Sequence, residues 1–226
     1  MSARNSFPGA EEWVPETASL PALHEAAQGC RGCDLYRDAT QVVMGSGAAD
    51  ASVMLLGEQP GDREDVAGEP FVGPAGKLLD RALADAGIAP EDTFVTNAVK
   101  HFRFERRGKQ RIHKSPSRAH VIACAPWLSA ELAAVRPRGV VILGGTAGKA
   151  VYGSSYKVGE QRGRLIDWPG ETFPVETPPA WVLATIHPSA ALRADNREEM
   201  YAGLVADLRV AAEALAGAGA RPGSRR

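Results

Sequence analysis

The sequence predicts an α/β fold, a three-layer α/β/α sandwich on a central four-stranded parallel sheet. Three observations predict it. Four short apolar runs read as strands buried on both faces. Helical patterns stand between and around those runs. A polar cluster closes each run. The 226-residue chain is 44% hydrophobic and 23% charged, an ordinary globular balance. A chain of this length buries about 70% of its unfolded surface, enough for one sizeable core.

The strand candidates are Ala51–Leu56, Thr93–Thr96, Gly139–Leu143 and Trp181–Ile186. They are too short for helices and mostly rich in β-branched residues, as strands covered on both faces are. Leu20, Leu23 and Ala27 predict a helix leading into Cys30. Pro74 suits the first turn of a helix whose Leu78, Leu79, Ala82, Leu83 and Ala86 share one face. Val121, Cys124, Ala125, Leu128 and Leu132 mark a third helix over Ser117–Val135, with Ser117 as its N-cap. Tyr201, Leu204, Val205, Leu208 and Ala212 mark a fourth over Met200–Leu215. Alternating strands and helices imply a parallel sheet with helices on both faces. The segment Gly163–Pro179 is rich in turn residues and reads as a hairpin or loop. One domain is expected over residues 1–215. A disordered tail, rich in Gly, Ala, Arg and Pro, is expected over residues 216–226. No apolar run reaches the roughly 18 residues of a membrane span. Met1–Pro15 carries no apolar signal core, so a cytoplasmic, monomeric protein is expected.

The strand ends place the chemistry. Gly57-Glu58-Gln59-Pro60-Gly61-Asp62 follows the first run, and Asn97 closes the second. Gly144-Gly145-Thr146 follows the third, and His187-Pro188-Ser189 the fourth. Open α/β sheets bind ligands outside the carboxyl ends of their strands, so these clusters are expected to converge on one pocket.

Net charge is −1, which alone excludes a globally basic nucleic-acid binder. The distribution is uneven, however. Between Lys100 and Arg118 lie Lys100, Arg103, Arg106, Arg107, Lys109, Arg111, Lys114 and Arg118, eight bases against the single acid Glu105. Concentrated positive charge in an otherwise acidic chain is the footprint of phosphate contact; a solvated loop has the same composition. The three cysteines, Cys30, Cys33 and Cys124, argue against a disulfide framework by their odd number. The Cys30-x-x-Cys33 pair suits a metal or redox site.

Several motifs occur in a fixed order. They are Gly57-Glu58-Gln59-Pro60-Gly61 with Asp62 and Asp65, Pro70-Phe71-Val72-Gly73, Val95-Thr96-Asn97 and His187-Pro188-Ser189. With Cys30-x-x-Cys33 ahead of it, this set resembles the family 4 uracil-DNA glycosylases from about Cys30 to Leu208. Two departures narrow the resemblance. His101 stands where that family has a cysteine, and Gln59 where it has an alanine-like residue. Both, and the insertion Gly108-Lys109-Gln110-Arg111-Ile112-His113-Lys114, resemble the UdgX-type uracil-DNA-binding proteins within the iron–sulfur glycosylase superfamily.

The resemblance implies a uracil-DNA glycosylase-like fold, uracil-containing DNA as partner and a [4Fe–4S] cluster held by Cys30, Cys33, Cys124 and His101. Zinc suits three cysteines and one histidine too, and spacing alone does not separate the two. A base inside a duplex must be flipped out to be reached. Phe71 would stack on it. Asn97, whose amide carries both a donor and an acceptor, would read the O4 and N3–H edge of uracil. His187 would stabilise the leaving uracil anion, as an oxyanion hole does. Ser189, Gln59, Lys100 and Arg111 complete the expected contacts with substrate. Leu192 and Arg193 are candidates to fill the gap left by the flipped base. Two fates follow for the sugar cation. In turnover hydrolysis, Asp62 or Asp65 positions a water. In the favoured alternative, His113 attacks the anomeric carbon while Glu58 accepts its other ring proton, leaving a covalent protein–DNA adduct. A non-catalytic iron–sulfur module that binds nucleic acid through the basic loop is a third reading.

Overall fold

The computed structural model of the chain describes residues 7–16 and 19–217. Its centre is a sheet in which all four expected strands run parallel. β2 (Val53–Gly57), β3 (Thr93–Asn97), β6 (Gly139–Leu143) and β8 (Trp181–Thr185) lie in the order β3-β2-β6-β8. Two strands of two residues each extend the sheet at its edges. β1 (Ser46–Gly47) pairs antiparallel with β3, and β7 (Leu165–Ile166), which follows the one-turn helix α6 (Val158–Gln161), pairs antiparallel with β8. The sheet is therefore mixed and six-stranded, wider than the four parallel strands the sequence predicts. The edge pairs are too short to carry any periodic signal.

Alternation along each strand sorts the core into two layers. Val53 and Leu55 of β2, Val141 and Leu143 of β6 and Leu183 of β8 face one side. There they meet Leu79, Ala82, Leu83 and Ala86 of α3 (Pro74–Ala86) and Leu204, Val205, Leu208 and Ala211 of α8 (Arg197–Gly217). Met54, Leu56, Phe94, Val140, Ile142 and Val182 face the other side. They meet Leu128, Leu132 and Val135 of α4 (Arg118–Val135) and Ala147 and Val151 of α5 (Gly145–Tyr152). A third cluster packs α1 (Leu20–Ala27) on α4 around Cys30, Cys33, Cys124 and Trp127. Ser117 caps α4 as expected, and its hydroxyl accepts the His120 N–H. The last helix starts three residues before its predicted boundary and runs through Gly217. Residues 218–226, most of the expected tail, lie outside the described residues.

The basic segment forms a separate two-stranded hairpin, β4 (Phe104–Arg107) and β5 (Gln110–His113), turning at Gly108. Residues Phe104 and His113 are paired across it. Among the described residues, no helix is long and apolar enough to cross a membrane.

The chain passes from β2 outward to β3 and then returns to the opposite neighbour of β2, namely β6. Strand order thus reverses at β2, and the segment just beyond its carboxyl end is the expected ligand site.

Candidate active site

A cleft of about 490 Å³ opens at that point. Each wall comes from a strand end or from the hairpin. The end of β2 gives Glu58 and Gln59, β3 gives Asn97, and the turn after β8 gives His187 and Ser189. Phe71 comes from the loop ahead of α3, and His113 closes β5. Seven expected site residues, from five segments of the chain, therefore meet in one cavity.

Gly57 sets the floor. It pairs with Asn97 across β2 and β3. A β-carbon at Gly57 would collide with Asn97 Oδ1 and lie 2.8 Å from Phe71 Cζ. The absence of a side chain there lets the aromatic ring and the amide sit together. Among the described residues, the Asn97 amide makes no side-chain hydrogen bond, so its donor and acceptor remain free for a ligand. Phe71 holds a left-handed backbone conformation, φ 58°, which is uncommon for a residue with a β-carbon. Two contacts impose it. Glu64 Oε1 accepts the Gly73 N–H at 2.7 Å, and Gly76 of α3 packs directly on the Phe71 carbonyl. Phe71 lies face to face with the His187 ring at 6.1 Å, with 27° between the planes.

His187 has a defined tautomer. Its Nδ1 accepts the Ser189 N–H at 3.2 Å and lies 2.8 Å from Ser189 Oγ, at the start of α7 (Pro188–Arg193). A nitrogen that accepts a backbone N–H carries no proton, so the proton is on Nε2. Burial, with Arg193 and His113 nearby, pushes the imidazole down to about 4. It is therefore a neutral donor at neutral pH.

The hairpin is fixed to the body by two devices. The Gln59 amide donates to the carbonyls of Arg103 and Lys114 at 3.1 and 3.3 Å, and its oxygen accepts the Arg103 N–H at 3.1 Å. It grips both sides of the hairpin root while also lining the cleft. Arg111 stands over the rings of Phe102 and Phe104. It donates to Asp62 Oδ1 at 2.6 Å and to Asp65 Oδ2 at 2.5 Å. Asp65 is fully buried and also accepts the Thr40 N–H. Neither aspartate lines the cleft. Both serve as anchors for Arg111, which corrects the water-positioning role for Asp62 and Asp65 and the substrate contact for Arg111.

These anchors bring His113 Nε2 to 3.8 Å from Glu58 Oε1. That exceeds hydrogen-bonding distance, and Glu58 Oε1 is buried without any partner. The His113 side chain is 48% exposed and that of Glu58 19%.

Lys100 is a second correction. It is fully buried in an ion pair with Glu131 and has no access to phosphate. Arg106, Arg107, Lys109, Lys114 and Arg118 are exposed, and they carry the local positive field. Arg193 lines the cleft, while Leu192 does not. Sequence reasoning missed Ala75, Ser115 and Glu64 among the cleft-lining residues, and of these Glu64 is the one that holds the Phe71 loop through the Gly73 N–H. Its one sequence signal is the acidic first turn of α2 (Asp62–Ala67).

Cys30, Cys33, Cys124 and His101 line a second, small cavity between the N-terminal segment and α4. Burial pushes the Cys33 thiol up to about 11 and the Cys124 thiol up to about 12, and it pushes His101 down to about 4. Trp127 Nε1–H donates to Cys30 Sγ at 3.2 Å, and Lys100 N–H donates to Cys124 Sγ at 3.3 Å.

The fold gathers a polar and aromatic cleft at the strand ends of an α/β protein, and comparison with known proteins gives its class. The family model described as "Uracil DNA glycosylase superfamily" matches residues 44–209, and the chain belongs to that superfamily. It is similar to the type-4 uracil-DNA glycosylase of Pyrobaculum aerophilum, 34% identical over 178 residues, 77% of this chain and 85% of the relative. The type-4 enzyme of Thermotoga maritima is 34% identical over 180 residues, covering 79% and 86%. That of Archaeoglobus fulgidus is 34% identical over 188 residues, covering 81% and 88%.

Proposed function

We propose that the protein flips uracil out of DNA, cleaves its N-glycosidic bond and captures the sugar on His113, ending as a covalent protein–DNA adduct of the UdgX type. The observation that carries this reading is the buried, unpartnered Glu58 Oε1 facing the His113 imidazole inside a cleft that also holds Asn97, Phe71 and His187. An unpaired buried carboxylate oxygen is costly unless a proton donor reaches it. A side-chain rotation of the half-exposed His113 that closes the gap by about 1 Å would bring the imidazole N–H within the usual hydrogen-bond range.

The chemistry then balances. A ring nitrogen of His113 forms a bond to the anomeric carbon as the bond from that carbon to uracil N1 breaks. The electron pair leaves with uracil, and His187 Nε2–H stabilises the anion at O2. The proton on the second imidazole nitrogen passes to Glu58. The product is a neutral N-linked imidazole, a poor leaving group. A glycosyl ester in a retaining glycosidase, by contrast, is released by water. The adduct therefore persists, and each molecule acts once.

Cys30, Cys33, Cys124 and His101 fit a [4Fe–4S] cluster. Three sulfurs and a neutral imidazole surround one cavity, and two of the sulfurs already accept N–H donors. Among the described residues, no three His, Cys, Asp or Glu groups are placed to hold a single metal ion. A zinc site would draw its sulfurs to about 3.8 Å of one another, whereas a cubane spreads its ligands over four irons. When bound, the cluster would cross-link the N-terminal segment to α4.

Gly57→Ala tests the cleft itself. Its methyl group would displace Phe71 and Asn97, so affinity for uracil-containing oligonucleotide is expected to fall at least about tenfold, at a stability cost of about 1–3 kcal/mol for overpacking. Titration with a non-cleavable 2′-fluoro-uracil oligonucleotide in a His113→Ala background and thermal melting measure the two effects.

The test of the proposal is incubation with a uracil-containing oligonucleotide followed by denaturing electrophoresis. A shifted band resistant to denaturant is expected for the wild-type protein and none for His113→Ala. An undiminished band in that variant would remove His113 as the nucleophile. Free abasic product without a shift would show turnover hydrolysis.

A further inference from the structure

A buried lysine lies directly behind the asparagine that faces the cleft, and the excision chemistry does not use it. Lys100 Nζ donates to Thr96 Oγ1, to the Asn97 main-chain carbonyl and to Glu131 Oε2, each at 2.7 Å. Glu131 is satisfied in turn. Its Oε1 accepts the Gly45 N–H at 2.7 Å, and its Oε2 accepts the Thr96 hydroxyl at 2.7 Å. Both charged side chains are 0% exposed. All three ammonium protons and both carboxylate oxygens are thus in use.

Burying two charges is a poor route to stability. The cost of removing them from water rivals their attraction, and an apolar pair of similar volume often does as well. An apolar pair does not, however, supply a donor to the Asn97 carbonyl. Edge strand β1 begins at Ser46, opposite Val95. Asn97 therefore runs past that edge strand, and Lys100 reaches its carbonyl. The main chain of the same lysine holds the other cavity, with its N–H on Cys124 Sγ at 3.3 Å. Its side chain holds the cleft and its backbone the cysteine cluster.

We propose that Lys100, locked by Glu131, is a positioning residue that fixes Asn97 and thereby sets discrimination between uracil and cytosine. The inference rests on the uracil reading above. Uracil and cytosine present reversed donor and acceptor patterns on the edge that the amide reads. An amide on a fixed backbone, with its oxygen against Gly57, matches one pattern. An amide on a loosened backbone turns over and accepts the other. Clamping the carbonyl of the reader therefore governs selectivity rather than general affinity for DNA. Phosphate contacts, which dominate general affinity, come from the exposed hairpin and are untouched by the clamp.

The test uses the full chain with Lys100→Met and Glu131→Gln combined. This pair removes both charges together, leaves no unpaired buried ion and keeps an acceptor for the Gly45 N–H. Affinities are measured in a His113→Ala background, which cannot form the adduct, with oligonucleotides identical except for one uracil or one cytosine carried on a non-cleavable 2′-fluoro sugar, alongside a thermal melt. The expected result is a uracil-to-cytosine ratio at least tenfold below wild type, with affinity for the cytosine strand within threefold and a melting temperature within a few degrees. An unchanged ratio in the folded variant would overturn the proposal. Should the double variant fail to fold, Lys100→Arg decides. Its planar fork keeps the charge but does not seat three bonds at the same points, so the ratio is again expected to fall, and an unchanged ratio again overturns the inference. A wild-type protein that shows no preference for uracil would overturn the uracil reading itself, and the inference with it.

Discussion

Replacing His187 with alanine is expected to slow uracil release by about 10²–10³-fold while changing uracil-DNA affinity only a few-fold, since it removes one donor aimed at developing charge. The tautomer is the reason. Nδ1 is committed to the Ser189 N–H, so Nε2–H is the donor available to the cleft. Burial, with Arg193 and His113 nearby, keeps the ring neutral to about pH 4. A neutral donor does not shed its proton to uracil in the ground state, and its hydrogen bond strengthens as the anion forms. Single-turnover rates with protein in excess measure the effect directly. The rate supported by this group should hold as pH falls from 7 toward 5. An inflection in the wild-type profile near 6.5 would therefore belong to another group. The same shift affects stability. In the folded protein His187 takes its proton near 4, against 6.5 for an ordinary imidazole. Between these values the unfolded chain binds more protons. Stability is therefore lost as pH falls from about 6.5 to about 4 and levels off below. His187→Ala should flatten part of that slope in melting temperature against pH. A variant with the wild-type slope and the wild-type excision rate would exclude His187 from both roles.

The four central strands are legible in the sequence because each is buried on both faces and so reads as an unbroken apolar run. Their register, Val53–Gly57 against Thr93–Asn97 and Val53–Leu56 against Gly139–Ile142, brings Glu58 and Asn97 to one rim, and strand-end logic alone points there. The edge strands are not legible, since two residues offer no period. Hairpin β4–β5 reads as a loop because its residues pack outside the main core and are chosen for charge.

The misread residues share a cause. Lys100 counts among the exposed bases in the sequence because charge clustering is a property of sequence position, while burial depends on where the chain turns. The turn after Asn97 points Lys100 inward. The clue lies thirty-one residues away. Glu131 stands in helical register with Cys124, Leu128 and Val135 on the core face of α4, and an acid in that position requires a buried cation. Asp62 and Asp65 suggest aids to catalysis because they follow the Glu58 motif. Their carboxylates are consumed by Arg111, and the hairpin that carries His113 stays docked for that reason. Chemistry at strand ends is legible from local sequence. The anchors that aim it, Gln59 on Arg103 and Lys114 and Arg111 on the aspartates, are long-range contacts that no local pattern announces.

Glu58→Gln is expected to reduce the rate of adduct formation by about 10²–10⁴-fold, the range of a lost general base, while the protein becomes as stable as wild type or more so. The two effects have one origin. Glu58 Oε1 is buried without a partner, 3.8 Å from the imidazole. This is a poor arrangement for the free protein and a useful one for a step that releases a proton at that point. A neutral amide removes the unpaired charge and relieves the cost. On the proposed reading it also removes the acceptor for the second imidazole proton, so the developing imidazolium would have nowhere to discharge. Trade-offs of this kind, with stability given up at the reacting group, are common at active sites. Adduct accumulation on denaturing gels over time gives the rate, and thermal melting gives the stability. A Glu58→Gln variant that forms adduct at the wild-type rate would show that the proton leaves by another path. One that melts well below wild type would show instead that the carboxylate is held in place by contacts that stabilise the fold.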